Sequence, residues 1–356
     1  MFKNYAFIFL FFFVTVDYSQ TADTLRLMFI GDIMSHGPQL QAAYQPENNS
    51  YDYSENFKYV SAIFQQADFV IGNLETTLGI KPYSGYPQFS APEQLAFACR
   101  QAGINVLATA NNHSCDRRKK GIYKTIDILD SLQLQHFGTY KNRKEKDNRT
   151  PLILQKNEIK IALLNYTYGT NGIPVPYPAI VNQLNKKLIK KDITKAQNTK
   201  PDAILTFLHW GNQYQAKASA QQLDMENFLH QNDIQYIIGS HPHVVQPVVY
   251  QHDTINDISY FTAYSLGNFI SNQRKFPRDG SMILSLTFVK TDGKFALISY
   301  QTIPIWVYKF KEKNKNHYEI LPVTDFMFSP DYFKDNRDYQ KMMRYYKHYQ
   351  KIVLQQ

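Results

Sequence analysis

Short apolar runs recur along this chain, and nearly every one stops at a polar cluster of glycine, asparagine, aspartate or histidine. Leu25 to Ile30 is apolar apart from Arg26 and predicts a buried strand that ends at Gly31-Asp32. Phe69-Val70-Ile71 predicts a second strand ending at Gly72-Asn73, and Ile104 to Leu107 a third running into Asn111-Asn112-His113. Between them the spacing turns helical. Phe57, Val60, Ile63 and Phe64 share one face, Glu93 to Ala102 is stopped by Gly103, and Gly121 to Leu132 aligns Ile122, Ile126 and Leu129. This β-α-β alternation predicts a mainly parallel inner sheet with helices outside.

Ile153-Leu154 and Ile159 to Leu164 predict two strands joined by a tight turn at Lys156-Asn157-Glu158. Gly169 to Pro178, with its glycines and prolines, must be a loop. Helix, strand and helix follow at Val181 to Ala196, Ala203 to Leu208 and Gln221 to Gln231. Tyr236-Ile237-Ile238 then leads to Gly239-Ser240-His241. From Val244 to Thr302 strands follow one another without helices, which predicts a second, antiparallel sheet. Two sheets face to face between helices give an α/β fold, a four-layer α/β/β/α sandwich. After Trp306 the chain is rich in Lys, Tyr and Asn, and Tyr339 to Val353 has the pattern of a basic amphipathic helix.

The chain has 356 residues, of which 44% are hydrophobic, enough for one large buried core. Net charge is +9, carried partly by Lys186, Lys187, Lys190 and Lys191 and by the tail after Lys309. A basic balance suits polyanionic partners, although a solvated lysine face is the commoner explanation of each cluster. The sequence carries no helix-turn-helix, zinc finger or RNA-binding aromatic motif, so nucleic acid is not the expected partner. At the N-terminus, Ala6 to Val16 is an apolar run interrupted only by Thr15, preceded by Lys3 and followed by polar Asp17 to Gln20. That is the pattern of a secretory signal cut after Ser19, and the run is too short to span a bilayer comfortably. The expected division is a signal over 1–19, one domain over 24–305 and a basic, Tyr- and Lys-rich helical extension over 306–356. Cys99 and Cys115 do not make a disulfide framework.

Six strand ends thus deliver carboxylates, carboxamides and imidazoles, the donors that hard and borderline divalent cations accept. In open α/β sheets, ligands bind at the carboxyl ends of the strands. His241 and His243 are two apart on a segment expected to be extended, which points both imidazoles the same way. His209 ends another strand just before Trp210-Gly211. Asp32 and Glu75 lie at the ends of neighbouring strands, and two carboxylates so close require a cation or a raised pKa. Asp32 could instead cap the next helix, and Asn112 is equally a turn residue or a ligand through its amide oxygen. If Asn112 is a ligand, His113 faces the substrate.

The succession Gly31-Asp32-Ile33-Met34, Gly72-Asn73-Leu74-Glu75, Ala110 to Asp116, His209-Trp210-Gly211, Gly239 to Gln246 and Tyr264 to Phe269 resembles the CapA, or poly-γ-glutamate capsule synthesis protein, family. The similarity spans roughly Leu25 to Ile303. The family is similar to the calcineurin-like metallophosphoesterases, which implies the same four-layer sandwich and a site for two divalent cations (Mn, Zn, Fe or Mg). On that resemblance Asp32 and His243 serve one cation and Asn112, His209 and His241 the other. Glu75, or failing it Asn73, bridges them, and His113 protonates the leaving group. Phosphoesterases carry histidine where this chain has Met34, with His36 a conceivable replacement, and aspartate where it has Asn73. These departures argue against a plain phosphodiesterase. Asn73, Asn268 and the basic rim begun by Arg117 and Arg118 are expected on the substrate side. The implied substrate is an anionic, peptide-like polymer of the cell envelope, handled by an exported protein, alone or beside a membrane-bound synthesis complex. The alternative from another class is a non-catalytic module that binds polymer or assembles an export complex.

Overall fold

The computed structural model describes residues 23–254 and 258–354, so the expected signal segment lies outside the described residues. The first strands are β1 (Asp23–Ile33), β2 (Phe69–Leu74), β3 (Val106–Ala108), β4 (Gln135–Phe137), β5 (Leu152–Lys156) and β6 (Ile159–Thr167). They are followed by β7 (Ala203–His209), β8 (Tyr236–Ser240), β9 (Val248–Asp253), β10 (Ile258–Ala263), β11 (Gly280–Thr291), β12 (Lys294–Glu312) and β13 (Lys315–Pro322). The longer helices are α1 (Gln94–Ala102), α2 (Arg118–Ser131), α3 (Lys186–Gln197), α4 (Ala220–His230) and α5 (Asn336–Tyr349).

Two large mixed sheets result. One has seven strands in the order β13-β12-β11-β1-β2-β3-β4, the other six in the order β5-β6-β7-β8-β10-β9. Each has a run of parallel strands, β1 to β4 in the first, where β4 is the edge, and β6, β7, β8 and β10 at the centre of the second, with antiparallel strands at the remaining margins.

Period-two alternation assigns the layers. In β1, Leu25, Leu27 and Phe29 point between the sheets, where they meet Ile161, Leu163, Leu205, Phe207 and Ile238 of the second sheet. Met28 and Ile30 point the other way, onto α1 and α2 through Leu95, Cys99 and Leu129. The second sheet mirrors this, with Ala162, Leu164, Ile204 and Leu208 packed on Ile189 and Ile193 of α3 and Leu229 of α4. The four-layer α/β/β/α order is therefore written in alternate residues.

Three expectations are corrected. The strands between Val244 and Thr302 do not form a separate antiparallel sheet. β9 and β10 extend the second sheet, whereas β11 and β12 return to the first, because β1 still offered an unpaired edge there. The helix expected from Val181 begins at Lys186, capped by Asn185, whose side-chain oxygen accepts from the Leu188 N–H. The boundary expected after Ile305 falls inside β12, and the following segment contributes strand β13 as well as helix. Met342, Tyr345 and Tyr349 of α5 join the central core beside Trp306 and Tyr308. No helix among the described residues is long and apolar enough to cross a membrane.

Candidate metal centre

The carboxyl ends of both parallel runs meet at one end of the sandwich. At the end of β1 a Cβ on residue 31 would fall 1.8 Å from the Gly267 carbonyl oxygen, so only glycine fits. That contact lets the Asp32 N–H donate to the same oxygen at 3.0 Å. Asp32 is thereby seated opposite Asn73 of β2, whose Nδ2 donates to Asp32 Oδ1 at 2.8 Å. From the second sheet, β7 brings His209 beside Ser240 of β8, with His209 Nδ1 2.9 Å from Ser240 Oγ.

Glu75 sits in the middle. Its carboxylate is fully buried, and neither oxygen has a hydrogen-bond partner. Oε1 lies 3.6 Å from His209 Nε2, 3.9 Å from His243 Nε2 and 4.0 Å from His113 Nε2. Two triads of ligand-type atoms share this residue: Glu75, His209 and His241, and Asp32, Glu75 and His243, each with its atoms within 4.8 Å of one another. Asn112 joins the first, its Oδ1 2.7 Å from His209 Nε2, while His241 Nδ1 stands 3.1 Å from the same nitrogen. A single ring nitrogen cannot satisfy all these groups with one proton, whereas a cation among them would satisfy every one. The donor set, imidazole with carboxylate and amide oxygen, fits a borderline or hard divalent ion.

The electrostatics agree. Burial, reinforced by the neighbouring Asp32, raises the Glu75 carboxyl well above its usual 4.5. Burial also holds His209 well below 6.5, and lowers His241 to about 3, with His243 and His113 adding to both shifts. A carboxyl pushed up beside imidazoles pushed down is what a buried cation site becomes when protons alone must neutralise it.

The histidine pair is not on an extended segment as expected. His241 and His243 have φ of 99° and 60°, a left-handed conformation that side chains rarely take and that costs of order 1–3 kcal/mol each. The turn separates the rings: His241 packs on His209, and His243 Nδ1 reaches Asp32 Oδ2 at 3.0 Å. One dipeptide step thus supplies a different triad with each imidazole.

Above the triads opens a cavity of about 930 Å³, into which His113, Asn112, His241 and His243 face. His113 Nδ1 is 2.7 Å from Asp116 Oδ2, an oxygen that also accepts from the Phe89 N–H. The Phe89 ring stands edge-on at 4.6 Å, so the imidazole is fixed on two sides. Met34 and His36 both line the cavity, but His36 belongs to neither triad. Burial lowers His36 to about 4, and its Nδ1 lies 3.3 Å from the Asn272 N–H that donates to it.

The residues expected on the substrate side lie elsewhere. Asn73 is fully buried between Asp32, His209 and Asn111, because its carboxamide is consumed in spacing those side chains. Asn268 is buried behind His243, with Oδ1 3.0 Å from His243 Nδ1 and Nδ2 donating to the Arg278 carbonyl. Arg117 donates to the Pro82 carbonyl and Ser84 Oγ, tying down a loop, and Arg118 points to solvent. Among the cavity residues that went unnoticed in the sequence are Arg278, Tyr168 with its ring 4.5 Å from His241, and Tyr214. None belongs to a strand-end cluster of donors, so pattern alone gave no reason to single them out.

Residues 26–273 match the family model described as "Bacterial capsule synthesis protein PGA_cap". The chain belongs to this capsule synthesis family. Among curated relatives it is 29% identical over 264 residues to "Capsule biosynthesis protein CapA" of Bacillus anthracis, covering 70% of this chain and 61% of that protein. To "PGA biosynthesis protein CapA" of Bacillus subtilis it is 25% identical over 265 residues, covering 70% and 64%. The chain thus spans under two thirds of the length of either relative. Among solved structures, Haemophilus influenzae NAD nucleotidase shares the fold at TM-score 0.50, with 11% identity over 93% of this chain and 61% of that one. Bacillus subtilis YfkN, a calcineurin-like phosphoesterase, is matched at TM-score 0.44 and 13% identity over 80% of this chain and 91% of that one. The family member described here therefore carries a metallophosphoesterase-like fold with grouped side chains of metal-ligand type, a candidate metal site.

Proposed function

We propose that this chain is an exported, metal-dependent enzyme that processes an anionic, peptide-like polymer of the cell envelope, of the poly-γ-glutamate type. The observation that carries the reading is Glu75, a buried carboxylate with no partner, shared by two triads of donors. The residues fit two divalent cations, Mn, Zn, Fe or Mg. Asp32 and His243 would hold one, Asn112, His209 and His241 the other, and Glu75 both. Bound there, paired cations polarise a carbonyl or phosphoryl oxygen and make water nucleophilic at neutral pH.

The chain's own groups do the rest. Asp116 fixes the His113 ring, so that Nε2 faces the reacting end of the cavity and can give a proton to the departing group. Asn268 and Asp32 together hold His243 by its Nδ1, and Ser240 steadies His209. The capsule synthesis names of the relatives support the substrate class, and the apolar segment at 6–16 supports export.

One observation favours a binding module instead: Met34 lines the cavity where a further ligand would complete the first cation's shell, and His36 does not replace it. Incubating the protein with a γ-linked glutamate oligomer and Mn²⁺ or Zn²⁺, with and without chelator, separates the two. Chelator-sensitive shortening or transfer of the oligomer supports the enzyme. Metal-dependent binding without any change in the oligomer supports the module.

A further inference from the structure

The cavity holds one guanidinium that nothing in the fold explains. Arg278 is the only Arg or Lys among the described residues lining it, and its charge has no carboxylate partner within 4.0 Å among those residues. Its guanidinium carbon lies 3.3 Å from the centroid of the Tyr214 ring, in stacking contact. Tyr214 is itself fixed over the histidine segment: its N–H donates to the Pro242 carbonyl at 2.8 Å, and its ring lies 5.9 Å from that of His243. A guanidinium laid face-down on a ring keeps its in-plane N–H donors free, in the fork that matches a carboxylate or phosphate. Among the described residues the only carboxylate lining the cavity, Asp116, is already committed to His113 and the Phe89 N–H.

We propose that Arg278, stacked on Tyr214, forms an oxyanion subsite beside the two triads and fixes a carboxylate or phosphate of the substrate next to the bond that reacts. This rests on the reading of the cavity as a substrate site. A single guanidinium here also sets the recognition unit. The remaining lining offers mainly tyrosines and carboxamides such as Gln88, Asn171 and Gln273, which suit the amide backbone of a peptide-like chain. The subsite thus selects one anionic group on a peptide-like chain.

The test uses Arg278→Gln and Arg278→Lys in the full chain, with glutarate and inorganic phosphate as probes, binding read by calorimetry and metal content by elemental analysis. Asn268 leans on the main-chain carbonyl of residue 278, so Arg278→Gln removes the fork without touching the support of His243. Loss of a charge-assisted pair should weaken the bound anion roughly ten-fold or more at unchanged metal content, with Arg278→Lys recovering part of it. Weakening confined to glutarate assigns the subsite to carboxylate, and weakening confined to phosphate assigns it to phosphate. Equal affinities in wild type and Arg278→Gln, or no anion binding by the wild type, would overturn the subsite. A wild type that takes up no metal yet binds anions through Arg278 would sink the cation reading alone, so the two fail separately.

Discussion

Glu75 is the residue on which the chemistry turns, and its protonation can be followed. Its carboxyl is pushed above its unfolded value, so the folded state favours the acid form. The resulting stabilisation is complete below about 4.5 and is lost as pH rises through the raised pKa. The metal-free protein therefore holds a proton on Glu75 to higher pH than a free carboxyl does, and an arriving cation must expel it. Calorimetry of Mn²⁺ uptake in buffers of different ionisation enthalpy should show proton release that disappears in Glu75→Gln; equal release by both proteins would contradict the assignment. The histidines shift the other way. His36 and His241, lowered to about 4 and about 3, stabilise the metal-free fold fully above 6.5, and that contribution fades as pH falls towards those values. His241→Asn should flatten the fall in melting temperature of metal-free protein between pH 7 and 4, and an unchanged slope would refute the depressed pKa. His113→Ala should keep the metal and lower turnover roughly 10²- to 10⁴-fold; full turnover at unchanged metal content would remove its acid role. Asp32, Glu75, Asn112 and the three histidines could be singled out as candidates because each is a known donor type at or shortly past a strand end. Arg278 was not, since its place depends on a loop folding back over Tyr214.

Among the elements, the seam between β1 and the segment at 265–268 matters most, because it seats Asp32 against His243. Gly31→Ala would drive a methyl into the Gly267 carbonyl and break the hydrogen bond from the Asp32 N–H. The expected cost is about 3 kcal/mol or more, with loss of metal binding, measured by denaturant unfolding and metal analysis. A variant that unfolds and binds metal like wild type would show that the seam is not tight. The individual strands were legible from their apolar runs and glycine stops. Their partition between sheets was not, because both sheets present similar apolar faces and pairing across 200 residues leaves no local trace. The sharp turn at His241 to His243 escaped for a related reason: nothing in His-Pro-His announces a left-handed backbone.

At the scale of the molecule, two runs of parallel strands point their carboxyl ends at one site, so each triad draws on both sheets. Asp32 and Glu75 come from the first sheet and the three histidines from the second. The C-terminal helix belongs to this unit, since Tyr345 packs its ring on Gly280 and donates its hydroxyl to the Ser281 carbonyl at 2.6 Å. Removing residues 330–356 should expose Trp306 and Tyr308 and abolish cooperative unfolding, whereas a soluble, cooperative fragment would make the helix an appendage. The family pattern made the four-layer order legible in advance, but the charge-rich composition after Trp306 disguised the strand β13 and gave no sign that the expected helix packs into the core. The central claim is that one buried carboxylate is shared by two cations. Anomalous scattering from a crystal soaked in Mn²⁺ tests it most directly. The account predicts two peaks flanking the Glu75 carboxylate, one beside Asp32 and His243 and the other beside Asn112, His209 and His241. A single peak, or none at Glu75, would contradict it.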